Sequence, residues 1–176
     1  MSSRSPENLL LYLPPSEEEA VNGLFAELAE RGLPRQYQRP HITVTFAPRM
    51  DQDVVALAAR LLPPLLPATF ERVGTVVFGT KSKQTIAWLL ETTPELEEAA
   101  RQISAANPDG RGFRWIPHLT VGLRIPRAQV PGYLAELGDA LVARAPLSSP
   151  LSFKELTAAR AAYWRPERQE LTWLEG

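Results

Sequence analysis

The chain contains no cysteine, and this absence excludes several kinds of chemistry. Without a thiol, the 176-residue protein can form no disulfide, use no cysteine nucleophile and hold no cysteine-ligated zinc or iron–sulfur centre. It also lacks a long apolar run, because Arg60 and three prolines interrupt residues 54–70, and the sequence therefore predicts no membrane span. Since a chain without thiols is compatible with a reducing compartment, we expect a cytoplasmic protein.

Acidic residues are missing from two windows of the sequence, residues 31–50 and residues 110–135. Each window carries four arginines and one of the only two histidines, His41 or His118, although the net charge of the whole chain is −1. Guanidinium groups suit bidentate contacts with phosphate. The windows therefore predict two local phosphate-binding surfaces on a protein whose net charge does not favour bulk binding to nucleic acid.

The order of the predicted elements indicates an α+β fold with antiparallel strands. Apolar alternation, prolines and capping residues predict strands over 8–13, 41–46, 68–78, 84–91, 118–124, 151–161 and 169–174. They also predict helices over 16–32, 51–62, 93–106 and 126–143, the first opened by a capping box at Ser16. Because the element order repeats in part, we expect one domain, residues 1–176, made of two similar halves.

Both histidines lie in one repeated pattern, Pro-His-aliphatic-Thr-Val, at residues 40–44 and 117–121. Because side chains alternate along a strand, His41 shares a face with Thr43, and His118 shares a face with Thr120. The aliphatic residues between them face the other way, toward a core. The same alternation predicts further members of the two polar faces: Thr45 in the first copy, and Gly122 and Arg124 in the second.

Two histidines and two threonines suit proton transfer at a phosphodiester. A histidine can take or give a proton near pH 7, so one can act as base and the other as acid. The hydroxyls of Thr43 and Thr120 can donate to the non-bridging phosphate oxygens, and arginine can balance the charge that builds in the transition state. No carboxylate lies near either histidine in the sequence, so no metal site is predicted there.

Three aromatic residues accompany the arginines of the two windows: Tyr37, Phe113 and Trp115. Aromatic rings in such positions either stack on a nucleobase or pack in the core. The sequence leaves both roles open.

The paired motif resembles that of the 2H phosphoesterase superfamily, and within it the bacterial RNA 2′,3′-cyclic phosphodiesterases, which are also called 2′-5′ RNA ligases. His41 and Thr43 match the first family motif, His118 and Thr120 match the second, and the resemblance in length and spacing covers the whole chain. It implies a bilobal α+β fold. Two antiparallel sheets related by a pseudo-twofold axis would surround a central cleft, with the helices on the outside.

The resemblance also implies hydrolysis of a 2′,3′-cyclic phosphate RNA end to a 2′-phosphate and, in reverse, 2′-5′ ligation to a 5′-hydroxyl. No metal or nucleotide cofactor is expected. The implied partner is RNA with such an end, including tRNA fragments. The protein is expected to be a monomer that does not bind a membrane. His41 is implied as the acid on the leaving oxygen and His118 as the base on water.

The sequence departs from the family at one position and leaves two alternatives open. Close relatives often carry arginine five residues after the second histidine, where this chain has Leu123, and we expect Arg124 to take that role. The alternatives are a non-catalytic module that binds RNA ends and a phosphodiesterase for a small cyclic phosphate. The first is disfavoured because no motif residue is missing.

Overall fold

A computed structural model describes residues 5–175, so Met1–Arg4 and Gly176 of the predicted domain lie outside the described residues. The described chain alternates strands and helices in an α+β arrangement, as the sequence predicts. Its elements are β1 (Glu7–Tyr12), α1 (Pro15–Glu30), β2 (His41–Ala47), α2 (Gln52–Leu61), β3 (Ala68–Phe78), β4 (Lys83–Glu91), α3 (Pro94–Ala106), β5 (His118–Pro126), α4 (Val130–Arg144), β6 (Glu155–Ala158), β7 (Arg160–Arg165) and β8 (Glu170–Trp173).

Capping residues set the start of two helices. The carboxylate of Asp51 accepts a hydrogen bond from a backbone N–H of the first turn of α2, and the hydroxyl of Thr93 does the same for α3. The capping box predicted at Ser16 is wrong. Pro14 occupies the cap position of α1 without a side-chain hydrogen bond, and Pro15 follows as the first helical residue, where a missing N–H costs nothing.

The eight strands form one antiparallel sheet in the order β6-β3-β4-β5-β2-β1-β7-β8. Its two four-stranded halves meet where β2 lies beside β5, and Ile42 opposite Leu119 is the one residue pair in that ladder. The two separate sheets expected from the resemblance are therefore one sheet with a narrow join. Neither half is a continuous segment, since β1 and β2 are completed by β7 and β8 from the other end of the chain.

The single strand predicted over residues 151–161 is wrong, because the chain changes partners inside it. Glu155–Ala158 pairs with β3 at one edge of the sheet, whereas the strand that begins at Arg160 pairs with β1 in the other half. Ala159 lies at the crossing, where its N–H donates to the carbonyl of Tyr12. Alternation in the sequence cannot reveal such a change of partner.

All four helices contribute to one core, which lies on one face of the sheet. Strand residues Leu11, Ile42, Trp88 and Leu119 of that face are fully buried against helical side chains such as Leu24. Each such burial is worth roughly 1.5–3 kcal/mol, which holds the helices on this face. A second, smaller cluster on the opposite face consists of strand residues alone. Among the described residues, no helix is long and apolar enough to cross a membrane.

Candidate active site

The two motifs meet at the join between the half-sheets. Extending the antiparallel register of Ile42 and Leu119 by one residue in each direction places His41 across from Thr120 and Thr43 across from His118. All four polar residues lie on the face that faces away from the helices, because Ile42 and Leu119 point into the core. Each histidine thus lies beside the threonine of the other motif.

Both imidazole rings are fixed by the same kind of hydrogen bond. His41 Nδ1 lies 2.6 Å from the carbonyl oxygen of Arg39, and His118 Nδ1 lies 2.7 Å from that of Ile116. A carbonyl can only accept, so Nδ1 carries the proton in each neutral ring. No group among residues 5–175 bonds either Nε2. Each Nε2 is therefore available to give or take a proton at a bound substrate.

Burial lowers the pKa of both histidines below the ordinary value of 6.5. For His41, the positive charges of His118 and Arg39 lower the pKa further, and for His118 the charge of Arg111 does so. The hydrogen bonds to the backbone carbonyls act in the opposite direction. Both rings are therefore neutral near pH 7 in the free protein, and a bound anionic phosphate favours protonation of one of them.

A one-residue bulge follows the threonine in each motif strand. The register shifts at Val44 against β1 and at Val121 against β4, and both strands begin with the same alternation of half-buried and buried residues. The bulge reverses the alternation, so that the next residue turns toward the core. The predicted placement of Thr45 and Gly122 on the polar faces is therefore wrong.

Different contacts hold the two bulges in place. Tyr133 of α4 donates its hydroxyl proton to the carbonyl of Val121, and its ring occupies the space beside Gly122. A Cβ at Gly122 would lie 3.0 Å from that ring, tighter than an ordinary contact, so this position favours glycine. In the first motif, the side-chain amide of Asn107 donates to the hydroxyl of Thr45 at 2.9 Å.

The loop before each motif supports the strand of the other motif. Buried Gln36, before the first motif, accepts a hydrogen bond from the N–H of Leu123 at 2.7 Å. Asn107, before the second motif, donates to the carbonyl of Phe46 at 3.0 Å, and the Trp115 indole N–H donates to that of Thr43 at 2.9 Å. The two strands are thus braced reciprocally. The sequence analysis missed Gln36 and Asn107, which carry no local signal for this role.

A cavity of about 330 Å³ opens beside Thr43 and His118. Arg111, Arg114 and Trp115 line it, and none of the described residues forms an ion pair with either arginine. These guanidinium groups belong to the second acid-free window, which the sequence analysis linked to phosphate without selecting either residue. The cavity therefore combines one candidate site residue from each motif with two positive charges and the carboxylate of Asp109, which also lines it.

Comparison with known proteins places the chain in a family. The family model of the 2′-5′ RNA ligase superfamily matches residues 13–169. The chain belongs to that superfamily. Two solved structures of Usb1 from Kluyveromyces marxianus, one with uridine monophosphate, share the fold at 12% identity over the full length of both chains. Their TM-scores are 0.54 for the complex and 0.55 for the other structure. No curated protein sequence matches.

The strict alternation that predicted Arg124 on the same strand face as His118 does not hold at this position. A second register shift separates Gly122 from Ile125, and Arg124 lies within it in the left-handed region, with φ of 55°. Its exposed guanidinium bonds to no other described residue, and it does not line the cavity. A phosphate contact by Arg124 stays a prediction.

The three aromatic candidates are in different environments. Tyr37 is 85% exposed and Phe113 is 54% exposed, and neither lines the cavity. Their stacking on a base stays a prediction. Trp115 is half-buried, with its N–H bonded to β2 and its ring edge-on to Phe70 at 6.2 Å between centroids. Trp115 therefore supports the first motif strand, a role that the sequence did not reveal, and since it also lines the cavity, its contact with a base stays a prediction.

Two aromatic side chains that the sequence analysis missed contact the histidines. The ring of Phe78 lies 4.8 Å from that of His118, and the ring of Tyr12 lies 6.3 Å from that of His41, measured between centroids. Both come from strands with ordinary apolar alternation, which carries no signal for a site. They contribute to the burial that lowers the pKa of the two imidazoles.

Residues 5–175 contain no group of three or more histidine, cysteine, aspartate or glutamate side chains placed to hold a metal ion. The expectation that this family member needs no metal stays a prediction, which the assay below tests.

Proposed function

We propose that the protein hydrolyses 2′,3′-cyclic phosphate ends of RNA to 2′-phosphates by acid–base catalysis with His41 and His118. The observation that carries the proposal is the crossed arrangement of the motifs, in which each histidine with a free Nε2 lies beside the threonine of the other motif. Membership in the 2′-5′ RNA ligase superfamily supports RNA as the substrate class. The uridine monophosphate in a Usb1 structure of the same fold supports a nucleotide ligand.

The reaction requires one proton to be removed and one to be supplied. His118, neutral in the free protein, takes a proton from water through Nε2 while the water oxygen forms a bond to phosphorus. His41, protonated once the anionic substrate is bound, gives a proton from Nε2 to O3′ as the P–O3′ bond breaks. The products are a 2′-phosphate and a 3′-hydroxyl. The proton on His118 then passes to solvent and His41 is reprotonated.

The threonines and arginines stabilise the charge on the phosphate. Thr43 and Thr120 lie on either side of the join, so their hydroxyls can donate to the two non-bridging oxygens. Arg111, whose charge already lowers the pKa of His118, compensates negative charge in the transition state. Because these groups are positioned before substrate binds, they need little reorganisation during the reaction.

The same geometry supports 2′-5′ ligation. A 5′-hydroxyl in the place of water gives up its proton to His118 and forms a 2′-5′ bond, and His41 again protonates O3′. Our proposal includes a monomer that acts in the cytoplasm on RNA ends, tRNA fragments among them. Arg124, Phe113, Trp115 and Tyr37 are proposed as additional RNA contacts.

A turnover assay in EDTA tests this proposal. The purified protein is given an RNA oligonucleotide with a 2′,3′-cyclic phosphate end and, separately, a nucleoside cyclic phosphate and a small non-nucleotide cyclic phosphate. We expect the oligonucleotide to be converted to a 2′-phosphate product at a rate that EDTA does not change. Binding without turnover would support the non-catalytic alternative. Preference for the small molecule would support the other alternative, and restoration by a divalent metal would refute the metal-free mechanism.

A further inference from the structure

A row of side chains extends from His41 across the half-sheet of the first motif. Tyr12 of β1 is the register partner of His41 on one side and of Arg160 on the other. Register partners in antiparallel strands point to the same face, so the three residues lie side by side on the face that carries the motifs. At about 4.8 Å per strand, Arg160 begins roughly 10 Å from His41. A neighbouring nucleotide of a bound strand spans this distance.

Aromatic rings and guanidinium groups pack together in this row. The guanidinium of Arg39 lies 4.1 Å from the ring centre of Tyr12, and that of Arg160 lies 3.8 Å from the ring centre of Trp173. The rings of Tyr12 and Trp173 meet edge to face at 5.8 Å between centroids. A groove of about 510 Å³ lies beside these side chains, between them and the start of α1 at Pro15.

The same surface continues along β7 and β8. Half-buried Trp164 and Trp173 pack on a cluster of Leu10, Tyr12 and Ala162 that consists of strand residues alone. We call Tyr12, Trp164, Trp173, Arg39 and Arg160 the terminal wall. It leaves two tryptophans partly open on the face that carries the motifs, and the main core, which lies on the other face, does not explain their exposure.

The charges on the terminal wall are nearly balanced. Arg39 forms an ion pair with half-buried Glu18 at 3.0 Å, and exposed Arg160 lies 3.4 Å from exposed Glu175. The pair of Arg160 is weak because both side chains are largely in water. The wall therefore favours a ligand with flat aromatic groups over one that offers phosphate charge alone. Single-stranded nucleic acid fits, since its bases stack on aromatic rings and on guanidinium planes.

We propose that the terminal wall binds the body of a single-stranded RNA whose cyclic phosphate lies between the histidines, with a base stacked on Arg160 where it covers Trp173. This inference rests on the proposed function and adds a substrate preference to it. The wall makes an oligonucleotide a better substrate than a mononucleotide. This preference comes from the wall alone and does not depend on the residues that act on the cyclic phosphate.

The test compares two substrates with the same terminal base, a tetranucleotide with a 2′,3′-cyclic phosphate and the nucleoside 2′,3′-cyclic monophosphate. Arg160→Ala removes an exposed side chain, so the fold should be retained, and a thermal melt checks this. We expect kcat/KM for the tetranucleotide to fall about 5- to 100-fold, the range for one stacked base, and kcat/KM for the mononucleotide to stay unchanged. Arg160→Lys keeps the charge but not the plane, and we expect the same loss.

Arg168→Ala is the matched control, because Arg168 is exposed in the turn between β7 and β8 and lies outside the wall. It should leave both substrates unaffected. Equal losses on both substrates, no loss with Arg160→Ala, or full activity of Arg160→Lys would overturn the stacking proposal. If neither substrate reacts with the unchanged protein, the proposed function fails. Fluorescence anisotropy with a labelled 2′-phosphate tetranucleotide then decides whether Arg160→Ala weakens binding by the same factor.

Discussion

Asn107→Ala tests how the first motif strand is held in position. The side chain is 3% exposed and makes three hydrogen bonds: to the Thr45 hydroxyl at 2.9 Å, to the Phe46 carbonyl at 3.0 Å and from the Asp109 N–H at 3.1 Å. At roughly 1 kcal/mol each, their loss should lower the free energy of unfolding by about 3 kcal/mol. For a chain of this size that corresponds to about 6–12 °C in Tm.

The same substitution should reduce turnover, because the strand it releases carries His41 and Thr43. A displacement of about 1 Å in a catalytic group costs up to about 100-fold in rate, so we expect a loss of about 10- to 100-fold in kcat under conditions where the variant is folded. Calorimetry or urea unfolding gives the stability and the cyclic phosphate assay gives kcat. Asp139→Ala is the control, since Asp139 is an exposed residue of α4 and its removal should leave both quantities unchanged.

A change of less than about 0.5 kcal/mol in the free energy of unfolding of Asn107→Ala would refute this reasoning, because surface substitutions already fall in that range. It would mean that water or a neighbouring group replaces all three hydrogen bonds. Loss of stability with unchanged kcat would show that the amide supports the fold and does not position the motif.

Three further predictions concern the histidines. His41→Ala and His118→Ala should each retain the fold and lower kcat by roughly 10²–10⁴-fold, and full activity in either folded variant would exclude the two-histidine mechanism. Because burial lowers the pKa of both rings, kcat/KM plotted against pH should be bell-shaped with its maximum below pH 6.5, falling as the acid loses its proton at higher pH. Arg111→Ala removes a nearby positive charge and should raise the pKa of His118, so that the acidic limb moves to higher pH if His118 is the base. If neither limb moves, Arg111 does not act on His118.

The sequence predicts the elements that carry strong local signals. Asp51 and Thr93 mark two helix starts because capping is decided within one turn. The two Pro-His-aliphatic-Thr-Val copies predict strands and a shared site, because the alternation and the repeat can both be read directly from the amino-acid sequence. The identity of the four motif residues therefore came from sequence, and their crossed pairing came only from the register.

The β-bulges and the contacts between distant segments could not be predicted from the sequence, for a physical reason. A bulge depends on which residue lies opposite, so strict alternation placed Thr45 and Gly122 on the wrong face. Bracing by Asn107 joins groups 62 residues apart in sequence, and no local pattern encodes it. Arg124 shows the same limit, because its backbone conformation is set by a register shift against β4.

Because β7 and β8 complete the first half-sheet, this half-sheet can form only late in the synthesis of the chain. A chain emerging from the ribosome presents β1 and β2 early, but one neighbour of β1 is β7, more than a hundred residues later. Domains whose contacts are this distant in sequence close late in folding. Each motif strand has one partner that is already made, β1 for the first motif and β4 for the second, but β7 and β8, which complete the first half-sheet, are the last strands of the protein. A truncated translation product would therefore contain both histidines without a complete half-sheet around the first.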